Sequence, residues 1–207
     1  MALKLTTLNG LGLTKAGAAQ GAQRIVDYLS KTKVTTVQAA YLLATVHHET
    51  AGWMQPIREG AVRYGPNYSD ANARAAVATL YGKRIIRTNY ALPAGPYQQS
   101  YYGRGLVQIT WYDNYAKFAK LLGVPLDKNP DLALDWNISL DITFRGLTEG
   151  LFRPGKGTLY NITSPAGYNL ARELVNGDRA KNGKAIADIA NKYLKNLKEE
   201  SKWPFNL

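Results

Sequence analysis

The chain has 207 residues, 45% hydrophobic and 20% charged, a length and balance that suit a folded domain and exclude extended disorder. It has no cysteine, which excludes disulfides and thiolate metal sites and leaves stability to packing. The formal charge of +11 favours polyanionic partners, but the basic residues are scattered and no helix-turn-helix signature stands out, so nucleic acid is not the expected partner.

The opening "MALKLTTLNGLGLTKAGAAQ" lacks a basic region followed by a continuous apolar core, so no secretory signal is read there. No run approaches the roughly 18 to 20 apolar residues of a membrane span, so stable membrane insertion is not expected. The first predicted helix lies in "KAGAAQGAQRIVDYLSK" and puts Ala19, Ala22, Ile25, Val26 and Leu29 on one face. Thr35 or Thr36 then caps a second, strongly apolar helix, "VQAAYLLATVHHET". It should end near Ala51 and Gly52, with Glu49 in its last turn and Pro56 preventing continuation.

Residues 56–68, "PIREGAVRYGPNY", read as a loop or small hairpin. Ser69 caps a helix over "SDANARAAVATLYGKR". The segment "NYALPAGPYQQSYYGRG" has too many breakers for a helix and becomes a long loop, ordered by Tyr90, Tyr97, Tyr101 and Tyr102. After it "LVQIT" resembles a short strand with Gln108 and Thr110 on one side. Further helices are predicted over 113–122, 135–150, 165–175 and 183–199. The fold class is mainly α with a small irregular or β element, within a single domain spanning 1–207 and no separate module.

His47, His48 and Glu49 first suggest zinc. Neighbours on a helix point about 100° apart, the helical zinc pattern needs histidines four apart, and the chain has no third histidine. No metal and no cofactor is therefore expected: one histidine packs in the core and the other serves as a hydrogen-bond partner. Cysteine is absent and no serine sits in a Gly-x-Ser-x-Gly elbow, which leaves carboxylates. At a helix C-terminus beside Trp53, Glu49 faces the negative end of the helix dipole and an apolar ring, and both disfavour a charged carboxylate, as a general acid requires. Glu59 follows past the Pro56 turn. The two could act as the carboxylate pair of glycoside hydrolysis, or Glu59 could be an ordinary surface residue beside Arg58. In "YYGRGLVQITWYDNYAKF", amides and hydroxyls set among Tyr102, Trp111, Tyr112 and Tyr115 suit a sugar chain; an aromatic core segment accounts for the same composition.

Taken together, "HHETAGW", the block of residues 101–110 and "ELVNGD" at 173–178 resemble the family 19 glycoside hydrolases, chitinases and bacteriophage endolysins on one scaffold. The resemblance implies a two-lobed, mostly helical, lysozyme-like fold flanking a substrate cleft. It also implies an inverting acid/base mechanism, with the carboxyls about 6.5 to 9.5 Å apart. Glu49 becomes the general acid, and Glu59, close to where bacterial and phage members carry their second glutamate, becomes the base. Gln108, Thr110 and Asn114 hold the sugar, Asn176 faces them across the cleft, and His48, Trp53, Tyr102 and Trp111 complete the substrate-binding set. Asn-Gly-Asp stands at 176–178 where the family has Asn-Gly-Gly, and "ETAGW" is one residue shorter than the plant form.

The expectation is a metal-independent, monomeric glycosidase cleaving β-1,4 bonds between N-acetylated amino sugars. Bacterial peptidoglycan is the preferred substrate, as for a phage endolysin held in the host cytoplasm until a holin releases it, or carried on the virion. A chitinase acting on chitin oligomers is the nearest alternative, and a non-catalytic carbohydrate-binding virion protein is the alternative from another class.

Overall fold

The computed structural model describes residues 2–200, which divide into two compact units. One comprises Met1–His48 and Phe144–Leu207, the other Glu49–Thr143. Among the described residues there are seven α-helices, several single-turn 3-10 segments and two two-stranded sheets, a mainly α architecture.

The first unit is built around α2 (Thr36–Glu49, of which only Glu49 falls in the other unit). Every residue from Gln38 to Val46 is buried. Such all-round apolarity is the mark of a helix enclosed by protein, in contrast to α1 (Ala18–Leu29), which buries the single stripe Ala18, Ala22, Ile25, Val26 and Leu29. Thr35 starts α2 with a reciprocal cap: its Oγ1 accepts from the Gln38 N–H at 3.3 Å, and Gln38 Oε1 accepts from the Thr35 N–H at 3.0 Å. Tyr168 stacks on Tyr41 and donates its hydroxyl to the Val37 carbonyl at 2.9 Å, tying the later part of the chain to this helix.

The predicted helix at 165–175 is broken into a 3-10 turn, the short α6 (Tyr168–Ala171) and a second 3-10 turn. The last helix, α7 (Arg179–Asn196), begins a turn earlier than expected and does not reach Glu199. Instead β4 (Leu197–Glu200) pairs antiparallel with β1 (Ala2–Leu5), aligning Leu5 with Leu197. Leu3, Leu5 and Leu197 are buried and Lys4 is exposed, so the period-two alternation of a strand wins over helical continuation.

In the second unit, α3 (Asp70–Gly82) is capped as read from the sequence, Ser69 Oγ accepting from the Asn72 N–H. Ala73 and Val77 of α3 form a small core with Ala91 and Tyr102, covered by Tyr68, Ile86 and Tyr90. The β element departs from the expected local hairpin. β2 (Ile57–Arg58) pairs antiparallel with β3 (Arg104–Gly105), far along the chain, with Arg58 opposite Arg104. Nor is 106–110 a strand: residues 106–108 turn, Gln108 is left-handed at φ 53°, and Arg104 bridges back to Ile109. Gly105 sets that turn. Its φ is 87°, and a Cβ there would lie 2.7 Å from Ser139 Oγ and 2.8 Å from the Ala133 carbonyl oxygen, so only glycine permits the approach. Ser139 Oγ in turn accepts from the Leu106 N–H at 2.8 Å.

Arg104 organises the unit. Its guanidinium is 3% exposed and lies 3.6 Å from the Tyr102 ring centroid. It donates to Asp131 at 2.8 Å, to the Ser100 and Tyr102 carbonyls at 2.8 and 3.2 Å, to the Tyr115 hydroxyl at 3.3 Å and to Asp70 at 3.3 Å. Arg58 reaches the same Asp131 at 2.6 Å. Among the described residues no helix is long and apolar enough to cross a membrane.

Candidate active site

Glu49 is the last residue of α2 and is partly buried, as its place in the sequence suggested. The chain then reverses through two left-handed residues, Ala51 at φ 48° and Gly52 at φ 81°. Thr50, fully buried, fixes the reversal: its carbonyl accepts from the Trp53 N–H and its Oγ1 from the Met54 N–H, each at 3.0 Å. Trp53 is pinned as well. Its indole N–H donates to the Val62 carbonyl at 3.0 Å, and its ring covers Gly65 so closely that a Cβ there would sit 2.7 Å away. The carboxyl of Glu49 is thus presented from an ordered helix end.

Glu59 follows β2 directly, and because side chains alternate along a strand it points away from the Arg58–Asp131 pair. Its N–H donates to the Gly103 carbonyl at 2.8 Å, while its Oε2 accepts from the Gly103 N–H at 2.9 Å. Oε1 accepts from the Tyr90 hydroxyl at 2.5 Å. Burial first, and then the Glu59 hydrogen bond, push the Tyr90 phenol well above its ordinary value, so it stays a donor across the physiological range. One donor on each oxygen fixes the carboxylate plane, the preorganisation a group that must steer a water needs.

Beside it Gln108 is spent mostly on backbone: its Nε2 donates to the Ile57 and Gly105 carbonyls, each at 2.9 Å. Its Oε1 stays available, near Gly103, where a Cβ would be 3.0 Å from both Gln108 Oε1 and Glu59 Oε2. Thr110 donates to the Gln108 carbonyl, and Asn114 donates to the Thr110 carbonyl at 2.8 Å. Trp111 is the exposed aromatic of the group, 47% accessible, set edge-to-face on Tyr90 with centroids 5.1 Å apart. Its φ of 76° is costly for a bulky residue, on the order of 1–3 kcal/mol, and holds the indole at the surface. The second unit therefore brings Glu59, Gln108, Thr110, Trp111 and Asn114 together around Tyr90 and Gly103.

Tyr102 does not belong to that group as a ligand of substrate. It is fully buried, its hydroxyl donates to Asp70 at 2.7 Å and its ring lies under Arg104, leaving no face for a sugar. His48 and Asn176 lie in the first unit. Beyond them, the carboxyl of Asp178 is held below its ordinary value chiefly by the Arg172 hydrogen bonds, at 2.5 and 3.0 Å. Asp178, the departure from the family's Asn-Gly-Gly, is therefore the partner of a guanidinium that is 2% exposed. Asn176 is exposed, and its Oδ1 accepts from the Gly177 N–H. His47 meets the Tyr193 hydroxyl at 3.0 Å, and burial, then Lys192, lower its basicity, so it packs as a neutral ring.

Nothing in the sequence marks Tyr90 as the partner of Glu59: it is one of four tyrosines in an aromatic loop. The Gly103 N–H had no side-chain signal at all. Removing the Tyr90 hydroxyl (Tyr90→Phe) is expected to lower kcat roughly tenfold with KM nearly unchanged, since a hydrogen bond to a charged group is worth about 1.5–3 kcal/mol. Steady-state kinetics on a soluble oligosaccharide would expose the split; an equal change in KM alone would make Tyr90 a binding residue.

A mainly helical, lysozyme-like fold carrying two glutamates and a cluster of amides beside an exposed indole defines the class. The chain belongs to the chitinase class I family of glycoside hydrolase family 19, whose model matches residues 18–148. Among its relatives, endochitinase 1 of Theobroma cacao is 37% identical over 114 residues, 51% of this chain and 30% of that protein. The inactive chitinase-like protein 1 of Hevea brasiliensis is 32% identical over 94 residues, 45% of this chain and 27% of its own. Chitinase C from Streptomyces griseus shares the fold at a TM-score of 0.52 and 23% identity, covering 89% of this chain and 71% of that one. The chain spans about a fifth to a third of the length of the first curated relatives it matches.

Proposed function

We propose that the chain hydrolyses β-1,4 bonds in chitin-type polymers of N-acetylated amino sugars, with Glu49 as general acid and Glu59 as base on the attacking water. The observation that carries this is the Glu59 carboxylate, held by Tyr90 and the Gly103 N–H beside Gln108 and the exposed Trp111. A surface glutamate kept only for solubility has no need of a half-buried phenol on one oxygen and a backbone amide on the other. The two glutamates both fall within the stretch that matches the family model. An inverting route follows, in which Glu49 protonates the departing oxygen while Glu59 takes the proton of a water on the opposite face of the ring.

Peptidoglycan, the preferred substrate on sequence grounds, becomes the second reading. The family description and the relatives' names favour chitin, while the charge of +11 favours an anionic wall. In that narrower reading the chain is an endolysin reaching the wall through a holin or on a virion.

Purified protein should release short oligomers from chitohexaose with the α-anomer as the initial product, read by anomer-resolved chromatography or NMR. Faster turnover on purified peptidoglycan than on chitohexaose would reverse the order of the two readings. No cleavage of either would sink the catalytic proposal in favour of carbohydrate binding alone.

A further inference from the structure

The C-terminal end of α3 and the residues after it carry a feature the glycosidase reading does not use. Residues 71–112 contain no aspartate or glutamate, yet include Lys83, Arg84 and Arg87 within five positions. These three cations are exposed, and no ion pair or hydrogen bond from their side chains to a described residue is formed, unlike Arg74 on the same helix, which pairs with Asp70. Tyr81, Gly82, Arg84, Ile86 and Arg87 line an open depression of about 400 Å³. Tyr81 and Ile85 stand 49% and 66% exposed at the same place.

The segment is fixed in position. The Lys83, Arg84 and Ile85 N–H groups donate back to the Thr79, Tyr81 and Leu80 carbonyls, and Ile86 packs against the Ala73–Val77–Ala91–Tyr102 core. Arg84 adopts φ 56°, a conformation for which glycine or asparagine would be the inexpensive choice. Cations near a helix C-terminus are favoured by the helix dipole, which accounts for Lys83 at the cap. The dipole effect fades within the last turn, and it does not account for Arg87 or for an arginine at a left-handed position.

We infer that this depression is a docking surface for a phosphodiester-linked anionic polymer, separate from the Glu49 and Glu59 region and independent of whether the chain cleaves glycans. Guanidinium groups pair bidentately with phosphate oxygens, and three cations within five positions, with no partner among the described residues, match charges that repeat along a flexible chain. A membrane surface fits less well. Beside a basic patch, stable anchoring still needs an apolar anchor of acyl-chain size, and Ile85 is the one strongly exposed aliphatic side chain here. Single-stranded nucleic acid calls for several stacking rings, and Tyr81 alone lines the depression with an aromatic face.

The test is binding of fluorescent poly(glycerol phosphate) to the full chain, followed by anisotropy at 50 and 200 mM salt. Parallel titrations use neutral chitohexaose as competitor, anionic-lipid vesicles and a single-stranded oligonucleotide. The triple variant Lys83→Ser, Arg84→Gly, Arg87→Ser should bind at least tenfold more weakly while its thermal midpoint holds, the glycine being comfortable at φ 56°. A charge-matched control, Lys156→Ser, Lys181→Ser, Lys195→Ser, should stay within about twofold of wild type, and wild-type affinity should fall roughly tenfold between the two salt concentrations. Equal losses in both variants would reduce the effect to net charge and overturn the site. So would displacement by chitohexaose, or tenfold tighter binding to vesicles or to the oligonucleotide.

Discussion

Glu49→Gln is expected to lower turnover of chitohexaose by roughly 10²- to 10⁴-fold, the range lost with a positioned general acid, and to leave the fold intact. The substitution keeps the side chain's size at a helix end whose turn is set by Thr50, Ala51 and Gly52. It also removes a negative charge from the negative end of the α2 dipole, worth about 0.3–1 kcal/mol, so the melting midpoint should hold or rise slightly. Activity and thermal unfolding measured on the same preparation separate the two effects. An unchanged rate would place the acid elsewhere. The comparison has weight because one relative of similar identity is an inactive chitinase-like protein, so membership in the family does not by itself confer turnover.

Arg104→Met should be the most damaging single change to stability, costing about 3–5 kcal/mol and lowering the midpoint by roughly 10 °C. The guanidinium is buried and serves two carboxylates, two carbonyls and a phenol. Its loss leaves those acceptors facing an apolar side chain. Asp70 and Asp131 are 38% and 42% exposed and can recover water, which puts the cost toward the lower end of that range. Arg104→Lys should fall between, since one ammonium cannot span acceptors that three guanidinium nitrogens reach. Burial opposes the charge on Asp70, but the Tyr102 and Arg74 hydrogen bonds, with Arg104 nearby, hold its carboxyl below the ordinary range. That contribution is present at neutral pH and is lost as pH falls through the lowered value, so the gap between wild type and Arg104→Met should narrow in acid. Denaturant unfolding at pH 7 and pH 3 reads both numbers.

The helices were legible because their signals are local. Ser69 caps where the sequence says it should, Thr35 is one of the two caps the sequence offered for α2, and the stripe of α1 and the apolarity of α2 follow from residue spacing. What escaped the sequence depends on partners distant along the chain. Leu197 becomes a strand residue because β1 lies beside it, and Ile57 becomes one because Gly105 does. Gln108 and Thr110 were placed on one face of a strand, but the left-handed turn at Gln108 brings them to one site by a different route. Glu49 and Glu59 could be named from residue type and family pattern. Tyr90 could not be matched to Glu59, since a tyrosine in an aromatic loop carries no mark of which carboxylate its hydroxyl meets. Tyr102 is the converse case: in "YYGRG" nothing distinguishes a ring that faces solvent from one that is buried under Arg104.

The pairing of β2 with β3 is only two residues long on each strand, too short for its ladder to define its own alignment. The alignment rests on the side chains that flank it, Arg58 on Asp131 and Glu59 on Gly103. A slip of one position would send Glu59 toward the Arg104 guanidinium and Arg58 toward Tyr90, putting a cation where the carboxylate now sits. Misalignment would therefore break the Arg58–Asp131 pair and strip Glu59 of the Gly103 and Tyr90 donors at once. If Glu59 is the proposed base, correct pairing of two short strands and a competent proton acceptor are one and the same condition, and a variant out of register would lose both together.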